Sequence, residues 1–180
     1  MSVSTLARRY AGAVFEAAKS AGAIDKVESD LGLVTYSLQT MPRLREALSH
    51  PLIPAARKKE IAAEVFGGKV EGVTLDFLNL LIDKRREEII EHVEREYVQL
   101  ANECRGIVVA VASSAVPLTP EERAGLRAKL EQFTGKKVEL RAEEDPGLIG
   151  GLLVRIGDTV IDGSVKGYLA SLKHRLLGKE

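Results

Sequence analysis

The side chains that could do chemistry in this chain are few, and their spacing gives none of them a partner. A histidine can carry protons near neutral pH or hold a metal, but His50, His92 and His174 lie far apart, in no HExxH or comparable pattern. They are expected to face solvent or to be structural. Cys104 is the single cysteine, so it can form neither an internal disulfide nor a Cys-based zinc site. Because it ends an apolar helical stripe, it is expected as a small buried hydrophobe rather than a reactive thiol. Glu143, Glu144 and Asp145 are adjacent carboxylates that could act as acids or ligate a hard cation, but neighbours on a strand point to opposite faces, which weakens a metal reading.

Phosphate chemistry fares no better. Neither GxxxxGK[ST] nor GxGxxG occurs, and the Gly-rich stretch Gly147–Leu148–Ile149–Gly150–Gly151 follows a turn and precedes a strand. It lacks the helix N-terminus that would hold a phosphate, so a bulge or close backbone packing is expected. Arg57–Lys58–Lys59 and Asp83–Lys84–Arg85–Arg86 are short basic clusters beside acidic residues, with no aromatic platform. They are expected to be solvated helix ends rather than a nucleic-acid site. No catalytic, cofactor-binding or metal-binding residues are assigned.

The composition points towards packed helices. Hydrophobic residues make up 45% of the chain and charged residues 29%, with Lys plus Arg equal to Asp plus Glu at 26 each. That is a folded, soluble protein with no global field for nucleic acid or an anionic surface. Trp is absent and aromatics reach only 4%, which suits close helix packing better than an aromatic ligand pocket. No stretch approaches the roughly 20 apolar residues of a membrane span, and the first residues lack an apolar signal core, so a mature bacterial-type chain is expected.

Up to about Arg105 the pattern is helix after helix. The first carries Leu6, Tyr10, Ala13, Val14, Ala17 and Ala21 as its inner stripe, with Ser4 or Thr5 as cap and Gly22 as stop. Asp25 with Glu28 resembles a capping box for the second, which bears Val27, Leu31, Val34, Leu38 and Met41. Pro42 opens a short third helix to Leu48; a fourth runs from Pro54 to Phe66 and stops at Gly67–Gly68. The fifth, from Val73 to Lys84, contains Phe77, Leu78, Leu80, Leu81 and Ile82 and is apolar round most of its circumference. The sixth shows Ile90, Val93, Tyr97, Leu100 and Cys104, and Gly106 ends it.

Beyond Gly106 the period becomes strand-like. Ile107 to Ala112 is β-branched and small; Thr119–Pro120–Glu121–Glu122 is a capping box for a helix with Leu126, Leu130 and Phe133 on one face, closed by Gly135. Val138, Leu140 and Ala142 alternate with charges, Asp145–Pro146–Gly147 is a turn, and Leu152, Val154 and Ile156 lead through Gly157–Asp158 to Thr159–Val160–Ile161 as a hairpin. Ser164 caps a terminal helix with Val165, Leu169, Leu172 and Leu176. The fold class expected is therefore mainly α with a small α/β part: a six-helix bundle over residues 1–105, then a small sheet-plus-helix domain over 106–180. The surplus is hydrophobic, because the fifth helix has more apolar surface than one side of a small bundle requires.

Several segments together resemble the delta subunits of F-type ATP synthases and their mitochondrial relative, the oligomycin-sensitivity-conferring protein. Ala7–Arg8–Arg9–Tyr10–Ala11–Gly12–Ala13–Val14–Phe15 is similar to the family's first helix. More specific are Ala115–Val116–Pro117–Leu118, then Asp145–Pro146–Gly147–Leu148–Ile149–Gly150–Gly151, then Gly157–Asp158, then Asp162–Gly163–Ser164–Val165, in the family's order and spacing. Arg85 departs from the pattern, since many relatives have Gly before the arginine matching Arg86.

The resemblance implies a connector without catalytic activity or cofactors. The helical domain would grip the N-terminal helix of an alpha subunit, and the C-terminal domain would meet the b-type stalk subunits. One copy per complex would hold the stator against rotor torque during proton-driven ATP synthesis, on the cytoplasmic side of a bacterial plasma membrane, with no membrane insertion of its own and no nucleic acid. The groove would lie between the first and fifth helices, where Tyr10 and Leu80 match positions the family uses; Leu6, Ala13, Ala17, Phe77 and Lys84 join them by spacing. Gly150, Gly151, Gly157, Asp158, Asp162, Gly163 and Ser164 form the structural signature. An unrelated helical adaptor or regulatory module is the alternative.

Overall fold

The computed structural model of the chain describes residues 3–157 and 159–169. Asp158, His174, Leu172 and Leu176 lie outside those residues. The chain divides into two compact units, one ending at Ala101 and the other beginning at Asn102.

In the first unit α1 (Val3–Ser20), α2 (Ile24–Thr40), α3 (Pro42–Ser49), α4 (Ala55–Phe66), α5 (Gly72–Asp83), a 3-10 turn (Glu87–Ile89) and α6 (Ile90–Cys104) follow one another. All of them send side chains into one hydrophobic core. Leu31, Phe66, Leu81 and Val93 are almost completely buried there, and each large aliphatic or aromatic so buried stabilises the fold by about 1.5–3 kcal/mol. Tyr97 is fully buried as well. Its hydroxyl donates to the Ile24 carbonyl at 3.0 Å, which removes the cost of burying a phenol, and its ring meets Phe15 edge-on at 5.7 Å between centroids.

Helix α1 turns a different line inward from the one its bulk suggests. Its buried residues are Ala7, Ala11, Val14, Phe15 and Ala18, whereas Leu6 and Tyr10 are half-buried and Ala13, Ala17 and Ala21 are exposed. Methyl side chains let the neighbouring helices approach closely, so the alanines win the centre and the larger residues move to the margin. The expected caps also differ. Ser4 and Thr5 lie inside α1, and Ala23 rather than Asp25 occupies the N-cap of α2, with no side-chain cap bond. Met41, expected on the inner stripe of α2, is 47% exposed, because it has left the helix and precedes Pro42 at the start of α3. Cys104, expected as a buried hydrophobe, is exposed, since at the last residue of α6 it lies past the buried Val93, Tyr97 and Ala101.

In the second unit β1 (Ile107–Ser114), α7 (Pro120–Thr134), β2 (Lys137–Glu144), β3 (Gly151–Ile156) and β4 (Thr159–Ser164) build a four-stranded sheet of order β2-β1-β3-β4. β1 runs parallel to β2 through the α7 crossover and antiparallel to β3, and β3–β4 is the expected hairpin. Thr119 and Glu122 form the reciprocal capping box, with Pro120 in the first turn and Gly135 closing α7 in the left-handed region. Ala110, Ala112, Leu130, Val138 and Val154 make the core. Phe133, expected on the same inward face as Leu130, is 70% exposed: it is rotated by roughly 60° round α7 from Leu130 and is the last residue but one of the helix.

Candidate docking site

Two lines at the margin of the core, with Phe77 their one core member, lie side by side where α1 packs against α5. At 100° per residue, the line Leu6–Tyr10–Ala13–Ala17 sits roughly 110° round α1 from its buried alanines. On α5 the line Phe77–Leu80–Lys84 is displaced by roughly a quarter turn from Thr74, Leu78 and Leu81. Tyr10 and Phe77 join the two lines, their rings 6.4 Å apart and inclined at 60°. Phe77 is buried beneath, while Leu80 is 42% exposed, and Lys84, Ala13 and Ala17 face solvent. The arrangement is a shallow apolar face with an aromatic pair in its floor, small residues along one bank and a cation at one end.

Both ends of α5 are fixed by contacts that hold this face in place. At its start, the carboxylate of Asp30, on α2 and 2% exposed, accepts from the Glu71 N–H at 2.7 Å and from the Thr74 hydroxyl at 3.0 Å. It therefore caps a helix other than its own, satisfying N-terminal donors and placing negative charge at the positive end of the dipole. Lys26 lies 3.7 Å from its other oxygen. At the far end the N–H of Arg85 meets the Ile82 carbonyl and that of Arg86 the Leu81 carbonyl at 2.9 Å. That turn requires Arg85 to take φ 51°, among the described residues the single positive φ outside glycine.

The other candidates disperse. His92 is exposed and His50 half-buried, its ring nitrogen accepting from the Leu52 N–H at 3.3 Å. Glu143, Glu144 and Asp145 are exposed, and among the described residues no three His, Cys, Asp or Glu side chains are grouped to hold a metal. The basic clusters are not simply solvated ends. Lys58 is buried and pairs with Glu87 at 2.6 Å, Lys59 pairs with Asp83 at 2.7 Å and Arg57 with Glu60 at 2.6 Å. No described helix is long and apolar enough to cross a membrane.

Gly151 and Ser164 are held by the geometry of the turns around them. Gly151 has φ 82°, and a side chain there would collide with the Gly163 carbonyl oxygen and come within 2.8 Å of the Ser164 Cα. Asp162 accepts from the Ser164 N–H at 2.8 Å, and the Ser164 hydroxyl accepts from the Gly167 N–H at 3.0 Å, which caps the helical turn over residues 165–169. The Ser164 hydroxyl and then its N–H hold the Asp162 carboxyl below its ordinary pKa.

Asp30 and the Lys58–Glu87 pair are absent from the sequence expectations. The only signal for Asp30 was an acid sharing the inward stripe of Val27, Leu31 and Val34; the donors it accepts from lie more than 40 residues away, as the sequence separations of 41 and 44 show.

A helical unit with an open apolar face, joined to a small α/β unit pinned by turn chemistry, defines a docking or connector protein. The family model for the ATP synthase delta (OSCP) subunit matches residues 6–176. The chain is 42% identical over 172 residues to the ATP synthase subunit delta of Syntrophomonas wolfei, covering 96% of this chain and 94% of that one. It is 43% identical to that of Salinibacter ruber, covering 98% and 93%. A chain in the cryo-EM structure of the Toxoplasma gondii mitochondrial ATP synthase hexamer shares the fold, with a TM-score of 0.71 over 97% of this chain and 99% of that one at 22% identity. This chain belongs to the ATP synthase delta (OSCP) subunit family: it is a non-catalytic component of the peripheral stalk of an F-type ATP synthase and not an unrelated adaptor.

Proposed function

We propose that the six helices of the first unit act as one bundle that receives the N-terminal helix of an alpha subunit on the α1–α5 face, while the second unit meets the b-type stalk subunits. One copy then ties the catalytic hexamer to the membrane sector on the cytoplasmic side of a bacterial plasma membrane and resists rotor torque while protons drive ATP synthesis. The observation that carries the first half is Tyr10 on Phe77, with Leu80, Ala13 and Ala17 open beside them. An amphipathic helix laid in such a face supplies affinity through apolar burial and needs no chemistry.

The second half rests on the apolar residues that the sheet unit leaves uncovered. Val160, Val165, Tyr168 and Leu169 are 51, 42, 65 and 56% exposed in β4 and the turn that follows it. Clustered exposed apolar side chains mark interaction surfaces. Affinity capture of the tagged chain from native membranes tests the assignment. Alpha and b-type subunits should co-elute from the parent, and substitution of Tyr10 and Leu80 by charged residues should remove alpha selectively. Retention of alpha by that variant would refute the docking face.

A further inference from the structure

We infer that the α1–α5 face selects the direction of the helix it receives, taking one whose N-terminal half is acidic and whose C-terminal half is basic, with its N-terminus at the end of the face marked by Leu6 and Lys84. The inference deepens the docking function proposed above and rests on it. Each helix carries a row of charges along the rim of the face. On α1, Arg9, Ala13 and Glu16 follow one another at spacings of four and three; on α5, Asp76, Leu80 and Lys84 follow at spacings of four. Such spacings align side chains along one side of a helix. Arg9, Glu16, Asp76 and Lys84 are all exposed, and none makes an ion pair among the described residues.

The two rows reinforce each other because α1 and α5 run in opposite directions. Three residues join α1 to α2, which makes those two helices antiparallel neighbours, and Asp30 on α2 stands as far from Gly22 at that turn as Val14 does on α1. Asp30 caps the start of α5 through the Glu71 N–H, whereas Phe77, farther along α5, meets Tyr10. Helix α5 therefore begins near the level of Val14 and descends to Tyr10 as α1 climbs. Arg9 and Lys84 lie towards the end marked by Leu6, and Glu16 and Asp76 towards the end marked by Ala17. Neighbouring charges do not reverse this division. Arg8 pairs with Glu96 and Asp83 with Lys59, Lys19 stands roughly 150° round α1 from the apolar line, and beyond Lys84 the exposed Arg85 and Arg86 outnumber Glu88 once Lys58 has taken Glu87. An incoming helix is matched when its acids meet Arg9 and Lys84 and its bases meet Asp76 and Glu16; reversal puts like charges together, and such matching fixes register and direction more than affinity. Helices favour acids near the N-terminus and bases near the C-terminus, which places the N-terminus at the Leu6 end. The dipole of the incoming helix, about half a charge at each terminus, pulls the other way but is weaker than full side-chain charges.

The test is methyl NMR on the full chain with a peptide of the alpha-subunit N-terminal helix that carries a nitroxide spin label at its first or, separately, its last residue. The N-terminal label should broaden the Leu6 and Leu80 methyl signals most, and the C-terminal label those of Ala17 and Val73. The double variant Arg9→Glu with Lys84→Glu should bind the unlabelled peptide about tenfold more weakly at low salt, and added salt should narrow that difference. Lys19→Glu, on the side of α1 turned away from the face, should bind as the parent does. Binding with the broadening pattern reversed, equal broadening by both labels, or undiminished affinity in the double variant overturns this inference and leaves the docking face standing. Absence of saturable shifts at Leu6 and Leu80 in the parent overturns the docking face itself and this inference with it.

Discussion

Arg85 holds a left-handed backbone conformation at φ 51° that closes α5, a geometry glycine adopts without steric cost and other residues adopt at about 1–2 kcal/mol. Glycine has more freedom to lose on folding, which returns about 0.5–1 kcal/mol of that difference. Arg85→Gly is therefore expected to raise stability by roughly 0.5–1 kcal/mol, checked by urea denaturation; a loss would mean that the arginine side chain makes a compensating contact. This position was legible as a departure from the family pattern. The sequence could not supply the reason, because φ follows from the turn that α5 and the 3-10 helix impose together. Lys58 was misleading in the opposite sense: it sits in a basic cluster, yet Glu87 draws it inside, and that partner is 29 residues away.

Among the elements, α5 is anchored from outside itself. Asp30→Ala removes a buried carboxylate that accepts from the Glu71 N–H and the Thr74 hydroxyl, leaving donors at the helix start without that acceptor. A loss of about 2 kcal/mol in chemical denaturation is expected; a change below about 0.5 kcal/mol would show that water replaces the carboxylate fully. Ser164→Ala deletes the acceptor for the Gly167 N–H and should cost about 1 kcal/mol in thermal or urea unfolding. Where an element announces itself locally, the sequence was enough: the Thr119–Glu122 box, the alternation of β2 and the β3–β4 hairpin all rest on neighbours within a few residues. The inner face of α1 was not legible in this way. Leu6 and Tyr10 dominate any hydrophobic pattern, while the choice of Ala7, Ala11 and Ala18 for the core depends on how closely the neighbouring helices approach.

At the scale of the whole molecule, three carboxylates of the second unit link stability to pH. In the second unit the Thr119 N–H and hydroxyl lower the pKa of Glu122, and the Val138 N–H followed by Arg127 lowers that of Glu131. Asp162 is lowered by Ser164. Each folded-state pKa lies below its unfolded value, so the stability these groups contribute is present above the ordinary carboxylate range, near pH 4. It is lost as the pH falls through the depressed values. Glu122 and Asp162 are exposed and Glu131 is half-exposed, so solvent screening keeps the effect modest. Circular-dichroism melts from about pH 7 down to about pH 3 should show the loss. Glu122→Gln, which can still accept in the capping box but does not titrate, should lose less on acidification; a curve parallel to the parent would remove Glu122 from the account.

We propose that this stalk subunit works by presenting an apolar α1–α5 face to a partner helix. Titration calorimetry of the full chain with a peptide of the alpha-subunit N-terminal helix tests it most directly. A one-to-one complex is expected, with Tyr10→Ala weakening it about thirtyfold, the effect of deleting an aromatic anchor worth about 2 kcal/mol, while the melting temperature stays close to the parent's. No heat of binding to the parent, or undiminished affinity in a stably folded Tyr10→Ala variant, would contradict it.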